Sequence, residues 1–299
     1  MINEAGKRLA AAGIEVSRVT KESFLAAKQK INPLLQKAGI DAGWTAGGAG
    51  SFDPEHPYPG TLRQDSGDID IMIDPKNLLD KFPVDAETAI QEWNKTASKP
   101  KGPTAIANIM ADPEKVNQWK LVGSKAALAD YMSSNGLPTA RGTLTVEYST
   151  GGKHYSVDLI VRPKTAWPLH THDFSLDPNM RGSDLWDELY ATLTKVSSPK
   201  SFTDPKSGET KGNYQFSPDQ GLVDRDTGKV VTTDKDQIAK ILLGPEANAR
   251  QLSSLSGIKA ALQKYPDKLS AVKHLLPQMQ AENVKFGSAQ WMRMIMEKL

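Results

Sequence analysis

Apolar residues recur at helical spacing over residues 21–38 (KESFLAAKQKINPLLQKA), placing Phe24, Leu25, Ile31, Leu34 and Leu35 along one side. That period predicts an amphipathic helix with Pro33 as a kink point. The period then drops to two. In SGDIDIMID, residues 66–74, aliphatic side chains alternate with carboxylates. This predicts a strand with Ile69, Ile71 and Ile73 toward a core and Asp68, Asp70 and Asp74 on the opposite face. A glycine- and proline-rich loop (39–60) separates helix and strand, and Asp74-Pro75 stops the strand. Residues 86–99 read as a helix. A polar, proline-containing stretch follows, then a second helix near 124–135. Residues 142–161 (GTLTVEYSTGGKHYSVDLIV) read as a hairpin turning at the Ser149-Thr150-Gly151-Gly152 cluster.

After Arg162-Pro163 the pattern changes. Residues 168–180 read as loop and 182–196 as a helix. Two polar hairpins follow, turning at Lys206-Ser207-Gly208 and Asp226-Thr227-Gly228, and a short helix over 234–244 ends in glycine. The last 55 or so residues read as three short helices punctuated by Pro266 and Pro277. Strands interleaved with helices predict an α/β (α+β) protein with a mixed sheet. The expected organisation is a catalytic, palm-like domain over 1–166, a thumb-like subdomain over 167–245 and a helical module over 246–299.

Composition narrows the chemistry. The 299 residues are 38% hydrophobic and 24% charged, as in globular proteins. No apolar run reaches membrane-spanning length, so no membrane partner is expected. The charged start, MINEAGKRLAAAGIEVSRV, does not read as a secretory signal. There is no cysteine, which excludes disulfides, zinc–thiolate sites and thiol catalysis. A cytoplasmic location is the expectation. A net charge of +2 means that any basic surface must come from local clustering.

The carboxylates are the candidate chemistry. On a strand, Asp68 and Asp70 project from the same face, roughly 6.5 Å apart along the chain. Two carboxylates this close repel unless a cation lies between them, and Mg²⁺ suits that role through oxygen ligands. Asp74 is roughly 13 Å along the strand from Asp68, too far to share one ion, and reads as the start of the Asp-Pro turn. Asp158 stands alone in the apolar run HYSVDLIV, where burial without a partner is costly. Taken singly, a D-x-D pair also fits a solvent-facing strand, and Asp158 also fits a salt bridge with a lysine. If the two strands are neighbours, Asp158 completes a three-carboxylate cluster.

Taken together, Gly50-Ser51-Phe52, then SGDIDIMID, then VDLIV resemble the polymerase-β nucleotidyltransferase superfamily. DPNMRGSDL (177–185) and residues 213–244 are similar to the Asn-Met-Arg helix start and the hairpin-plus-helix of the family X DNA polymerases. The resemblance implies two-metal nucleotidyl transfer with two Mg²⁺ or Mn²⁺ ions held by Asp68, Asp70 and Asp158. Such ions, roughly 3.5–4 Å apart, stabilise attacking and leaving oxygens together. It further implies a nucleoside triphosphate substrate and a nucleic-acid 3′ end as acceptor. Gly50, Ser51, Arg63, Ser66, Thr171 and Arg181 are the substrate-binding candidates, with Gly50 and Ser51 on phosphate. Ser66-Gly67 also supplies the turn that feeds the strand.

The chain departs from that family in three places. The proline-rich DPEHPYPGTLRQD intervenes before the D-x-D strand. The stretch matching the family's Tyr-Phe-Thr-Gly-Ser turn is Leu169-His170-Thr171-His172-Asp173, where only Thr171 agrees. About twenty residues precede the first predicted helix, too few for a DNA-gripping helix–hairpin–helix module. That last departure keeps a protein or small-molecule acceptor open, and a non-catalytic binding role as well. The mildly basic carboxy-terminal stretch reads as a capping bundle with a solvated face.

Overall fold

A computed structural model describes residues 15–59, 64–139, 145–172, 183–199, 201–203 and 210–282. Chain contacts divide it into two compact units, Met1–His56 with Gln64–Lys164, and Pro57–Arg63 with Thr165–Leu299.

The first unit is built on a four-stranded mixed sheet. Its strands are β1 (Ala42–Ala46), β2 (Ile69–Ile73), β3 (Thr145–Thr150) and β4 (Lys153–Val161), in the order β1-β2-β4-β3. Only β2 and β4 run parallel; the other neighbours are antiparallel. Helix α1 (Lys21–Lys37) starts at a Thr20/Ser23 capping box, which satisfies backbone donors that a helix start leaves open. Phe24, Ala27, Ile31 and Leu35 recur at its helical spacing and are fully buried. Trp44 and Phe52 meet Phe24 edge-on, with centroids 6.0 and 6.3 Å apart. On β2, Ile69, Ile71 and Ile73 are fully buried, as their alternation predicts, each worth about 1.5–3 kcal/mol of burial. Met72 is buried as well, because β2 is an inner strand. The β3–β4 hairpin turns at Gly151 and Gly152, with φ values of 58° and 73°; Ser149 and Thr150, read as part of the turn cluster, belong to β3.

The stretch between β2 and β3 differs from its sequence reading. It is helical almost throughout, with α3 (Pro75–Lys81), α4 (Ala86–Thr96), α5 (Pro103–Met110) and α6 (Pro113–Ser134); before β2, the stretch read as loop holds β1 and the short helix α2 (Gly47–Gly50). Pro75, Pro103 and Pro113 stand at helix starts, where a missing N–H costs nothing and a fixed φ helps. Pro103 and Pro113 of the polar stretch therefore open helices, and the helix expected near 124–135 is the end of the longer α6. Helix α4 stops earlier than its pattern suggests, because Ala97 turns extended at ψ 135°.

In the second unit, α7 (Ser183–Ser197), α8 (Lys235–Leu243) and α10 (Leu255–Leu262) enclose a separate core of Leu189, Tyr190, Leu193, Ile238, Leu242 and Ile258. The Tyr190 hydroxyl donates to the Leu252 carbonyl at 3.0 Å, so the buried ring keeps its polar end satisfied. Two small antiparallel sheets accompany the helices: β5 (Ser201–Thr203) with β6 (Thr210–Gly212), and β7 (Tyr214–Ser217) with β8 (Gly221–Asp224) and β9 (Val230–Thr232). These include both expected hairpins, although the Lys206-Ser207-Gly208 turn lies outside the described residues. Helix α8 is capped by Asp234 and ends at Gly244, whose φ of 128° and contact with the Tyr265 ring leave no room for a side chain. Beyond it lie α9 (Ala249–Leu252), α10 and α11 (Pro266–Glu282); α11 continues through Pro277 instead of breaking there. Among the described residues no helix is long and apolar enough to cross a membrane.

Candidate metal centre

The parallel register of β2 and β4 sets Asp70 directly beside Asp158. Asp68, just before β2, projects to the same side by strand alternation. One carboxylate oxygen from each of Asp68, Asp70 and Asp158 lies within 4.8 Å of the others, and all three side chains are half-buried. The three acids predicted from the sequence therefore form one cluster that can hold a metal ion. Burial raises the Asp70 carboxyl well above its ordinary range, and the charges of Asp68 and then Asp158 push it further. The same repulsion makes the cluster a fitting receptor for a hard divalent cation, which takes oxygen ligands and removes the penalty.

Asp74 has a different task. It caps α3, accepting from the Lys76 and Asn77 amides at 2.9 and 3.2 Å, and its second oxygen accepts from the Lys164 amide at 2.9 Å. It ends β2, as its position before Pro75 implies.

Two residues at the cluster go beyond the sequence reading. Thr145 is paired with Asp158 across the hairpin, and its hydroxyl donates to Asp158 Oδ1 at 2.7 Å. This bond orients one carboxylate from behind, in the way that outer partners orient metal ligands. Counting outward from a two-residue turn at Gly151-Gly152 would have found it. Gly47 has φ 64°, and a Cβ there would stand 2.1 Å from Asp70 Oδ2. Only glycine permits that backbone shape and that approach together. Its neighbour Ala46 pairs with Asp70 across a bulged β1–β2 ladder, which is what brings the glycine turn to the acid.

Gly50, Ser51, Ser66 and Thr171 each have their own local partners. Gly50 packs on the Thr45 backbone, where a Cβ would come within 2.6 Å of the carbonyl carbon. Ser51 is buried, and its hydroxyl donates to the Gly48 carbonyl at 2.6 Å. Ser66 is buried and forms an isolated backbone bridge with Val19. Thr171 belongs to the second unit, where it is buried and its carbonyl accepts from the Lys235 ammonium. Arg63 and Arg181 lie outside the described residues. His170 stands 4.0 Å from Asp219 in the second unit.

Comparisons with protein-family models, with curated proteins and with solved structures give no match. Fold and site define an α/β protein whose mixed sheet presents three carboxylates able to bind a metal ion. The mixed sheet and the acid triad fit a polymerase-β-like fold loosely.

Proposed function

We propose that this protein is a metal-dependent nucleotidyltransferase, with a nucleoside triphosphate as donor and a hydroxyl, at a nucleic-acid 3′ end, as acceptor. The observation that carries the reading is the meeting of Asp68, Asp70 and Asp158 across two parallel strands, beside a glycine turn. In the reaction the acceptor oxygen bonds to the α-phosphorus, the bond to the β-phosphate breaks, and pyrophosphate leaves as the hydroxyl proton is lost. Asp68, Asp70 and Asp158 would hold two Mg²⁺ or Mn²⁺ ions, which when bound neutralise charge on the attacking and leaving oxygens.

The chain's own residues have distinct parts in this reading. Thr145 fixes the rotamer of Asp158 through its hydroxyl. Gly47 leaves the space that Asp70 occupies. Gly50 and Ser51 are assigned to phosphate, and Ser51 would exchange its bond to the Gly48 carbonyl for one to a phosphate oxygen. Ser66, Arg63, Thr171 and Arg181 complete the proposed substrate contacts.

The test is incubation of the full chain with α-labelled triphosphates, Mg²⁺ or Mn²⁺, and panels of DNA, RNA, protein and small hydroxyl acceptors. Label should pass to a nucleic-acid end with the wild type and not with Asp70→Asn. Label on protein alone would refute the proposed acceptor. Equal turnover by wild type and variant would refute the site.

A further inference from the structure

We propose that the corner joining α4 to α5 is a binding surface for single-stranded nucleic acid, with Trp93 as the stacking platform and Lys99 and Lys101 as phosphate contacts. It extends the nucleotidyltransferase reading, because it supplies that reaction with a grip on its acceptor strand.

The corner is built. The Asn94 carboxamide donates to the Lys101 carbonyl at 3.0 Å and accepts from the Lys101 amide at 2.7 Å. One side chain thus closes the whole connection between the two helices into a ring. Pro103 at the start of α5 stiffens its far end. A loop held this way loses little freedom when it binds a ligand.

What the loop presents is a flat ring among cations. Trp93 is 36% exposed although it is the largest kind of apolar side chain. Trp119 of α6 supports it edge-on, with centroids 5.6 Å apart and planes at 78°. The Lys101 ammonium lies 5.5 Å from the Trp93 ring centroid. From Trp93 to Ala111 the chain carries Lys95, Lys99 and Lys101 and no acid. Lys95 is paired with Glu92, whereas Lys99 and Lys101 make no ion pair among the described residues. Trp93 is also one of three large apolar side chains left exposed on this helical layer, with Met110 and Val122.

A single strand matches this combination. Each nucleotide offers a π-face for the indole and a phosphate for a lysine, and stacking of this kind tolerates any base. A base over Trp93 brings its phosphate toward the ammonium that already lies at the ring. An acidic peptide offers the charge alone and leaves the exposed indole unmatched.

The experiment uses the full chain, a fluorescein-labelled single-stranded oligonucleotide of ~12 nucleotides, within the usual footprint of such surfaces, and EDTA with no triphosphate. Anisotropy should report binding that weakens as salt rises. Trp93→Ala should weaken it about tenfold or more, and Trp93→Phe, which keeps a ring, by less. Lys99→Gln with Lys101→Gln should reduce the slope of log affinity against log salt by about 1.4, from two lost phosphate contacts. Binding that all these variants retain unchanged would overturn the proposal, as would no binding of the strand alongside tight binding of a poly-glutamate peptide. The two proposals fail separately: absence of nucleotidyl transfer with Trp93-dependent binding removes only the activity, and transfer with binding indifferent to Trp93 and the lysines removes only this surface.

Discussion

Asp70→Asn should stabilise the metal-free protein and also abolish its response to metal. In the wild type, Asp70 faces Asp68 and Asp158 with carboxylate oxygens within 4.8 Å. Two full charges at that separation repel by about 1 kcal/mol at the dielectric of water and by about 3.5 kcal/mol at an effective dielectric of ~20. Protonation caps the total. From an ordinary value of 3.8, an acid can be held neutral at pH 7 for about 4 kcal/mol, so the relief lies at roughly 1–4 kcal/mol. For a unit of this size, each kcal/mol moves the melting temperature by roughly 2–4 °C. The sign follows from linkage. The folded-state pKa of Asp70 is raised, so between 3.8 and that raised value the folded protein holds more protons than the unfolded chain. Wild-type stability falls as pH rises through this window, and the penalty is constant above it. The asparagine variant lacks that slope, so the gap between the two opens above pH about 4 and then levels off. Metal works against this gap: at a hundredfold excess over Kd it stabilises the wild type by about 2.7 kcal/mol and leaves the variant unchanged. Thermal melts followed by far-UV circular dichroism, in EDTA and in millimolar Mn²⁺ across pH, measure both effects. A variant less stable than the wild type in EDTA at pH 8, or one that keeps the wild-type shift with Mn²⁺, would refute the reasoning.

Three further substitutions probe other parts of the argument. Gly47→Ala forces a side chain into φ 64° and against Asp70 Oδ2, costing about 1–2 kcal/mol in backbone strain alone, and should weaken Mn²⁺ binding in calorimetric titration. Thr145→Val keeps the shape but removes the hydrogen bond to Asp158 Oδ1, so metal affinity should fall roughly tenfold with little change in metal-free melting. In the second unit, burial lowers the Lys235 ammonium from 10.5 to about 7, although it donates to the carbonyls of Pro168 and Thr171. Between those values the unfolded chain holds more protons, so wild-type stability should rise with pH through that window, by at most about 5 kcal/mol. Lys235→Met should lack that rise in urea titrations at pH 7 and pH 10; equal slopes would show that Lys235 is charged in its buried position.

Much of the framework was legible because it is encoded locally. Phe24, Ile31 and Leu35 lie one or two helical turns apart, and their shared face was buried as the spacing implied. Gly151 and Gly152 marked their turn because few other residues adopt positive φ. The prolines at 103 and 113 misled for a related reason: a proline breaks a helix from within but starts one at its first position, and local composition does not separate the two cases. The helix expected over 86–99 ended at Thr96 because a side chain, Asn94, captured the backbone of Lys101.

The sequence by itself determined that Asp68 and Asp70 share a face, since alternation along an extended chain requires it. It also determined that Asp158 is an acid in an apolar strand and that Asp74-Pro75 stops the strand that carries the pair. Only the tertiary structure decided that β4 lies parallel to β2 with Asp158 beside Asp70, that Thr145 holds that acid, and that Gly47 closes on Asp70. Periodicity reports which way a side chain points from its own strand. Which distant strand lies alongside, and in what register, is set by the packing of a whole core, and a one-residue slip would have turned Asp158 to the other face.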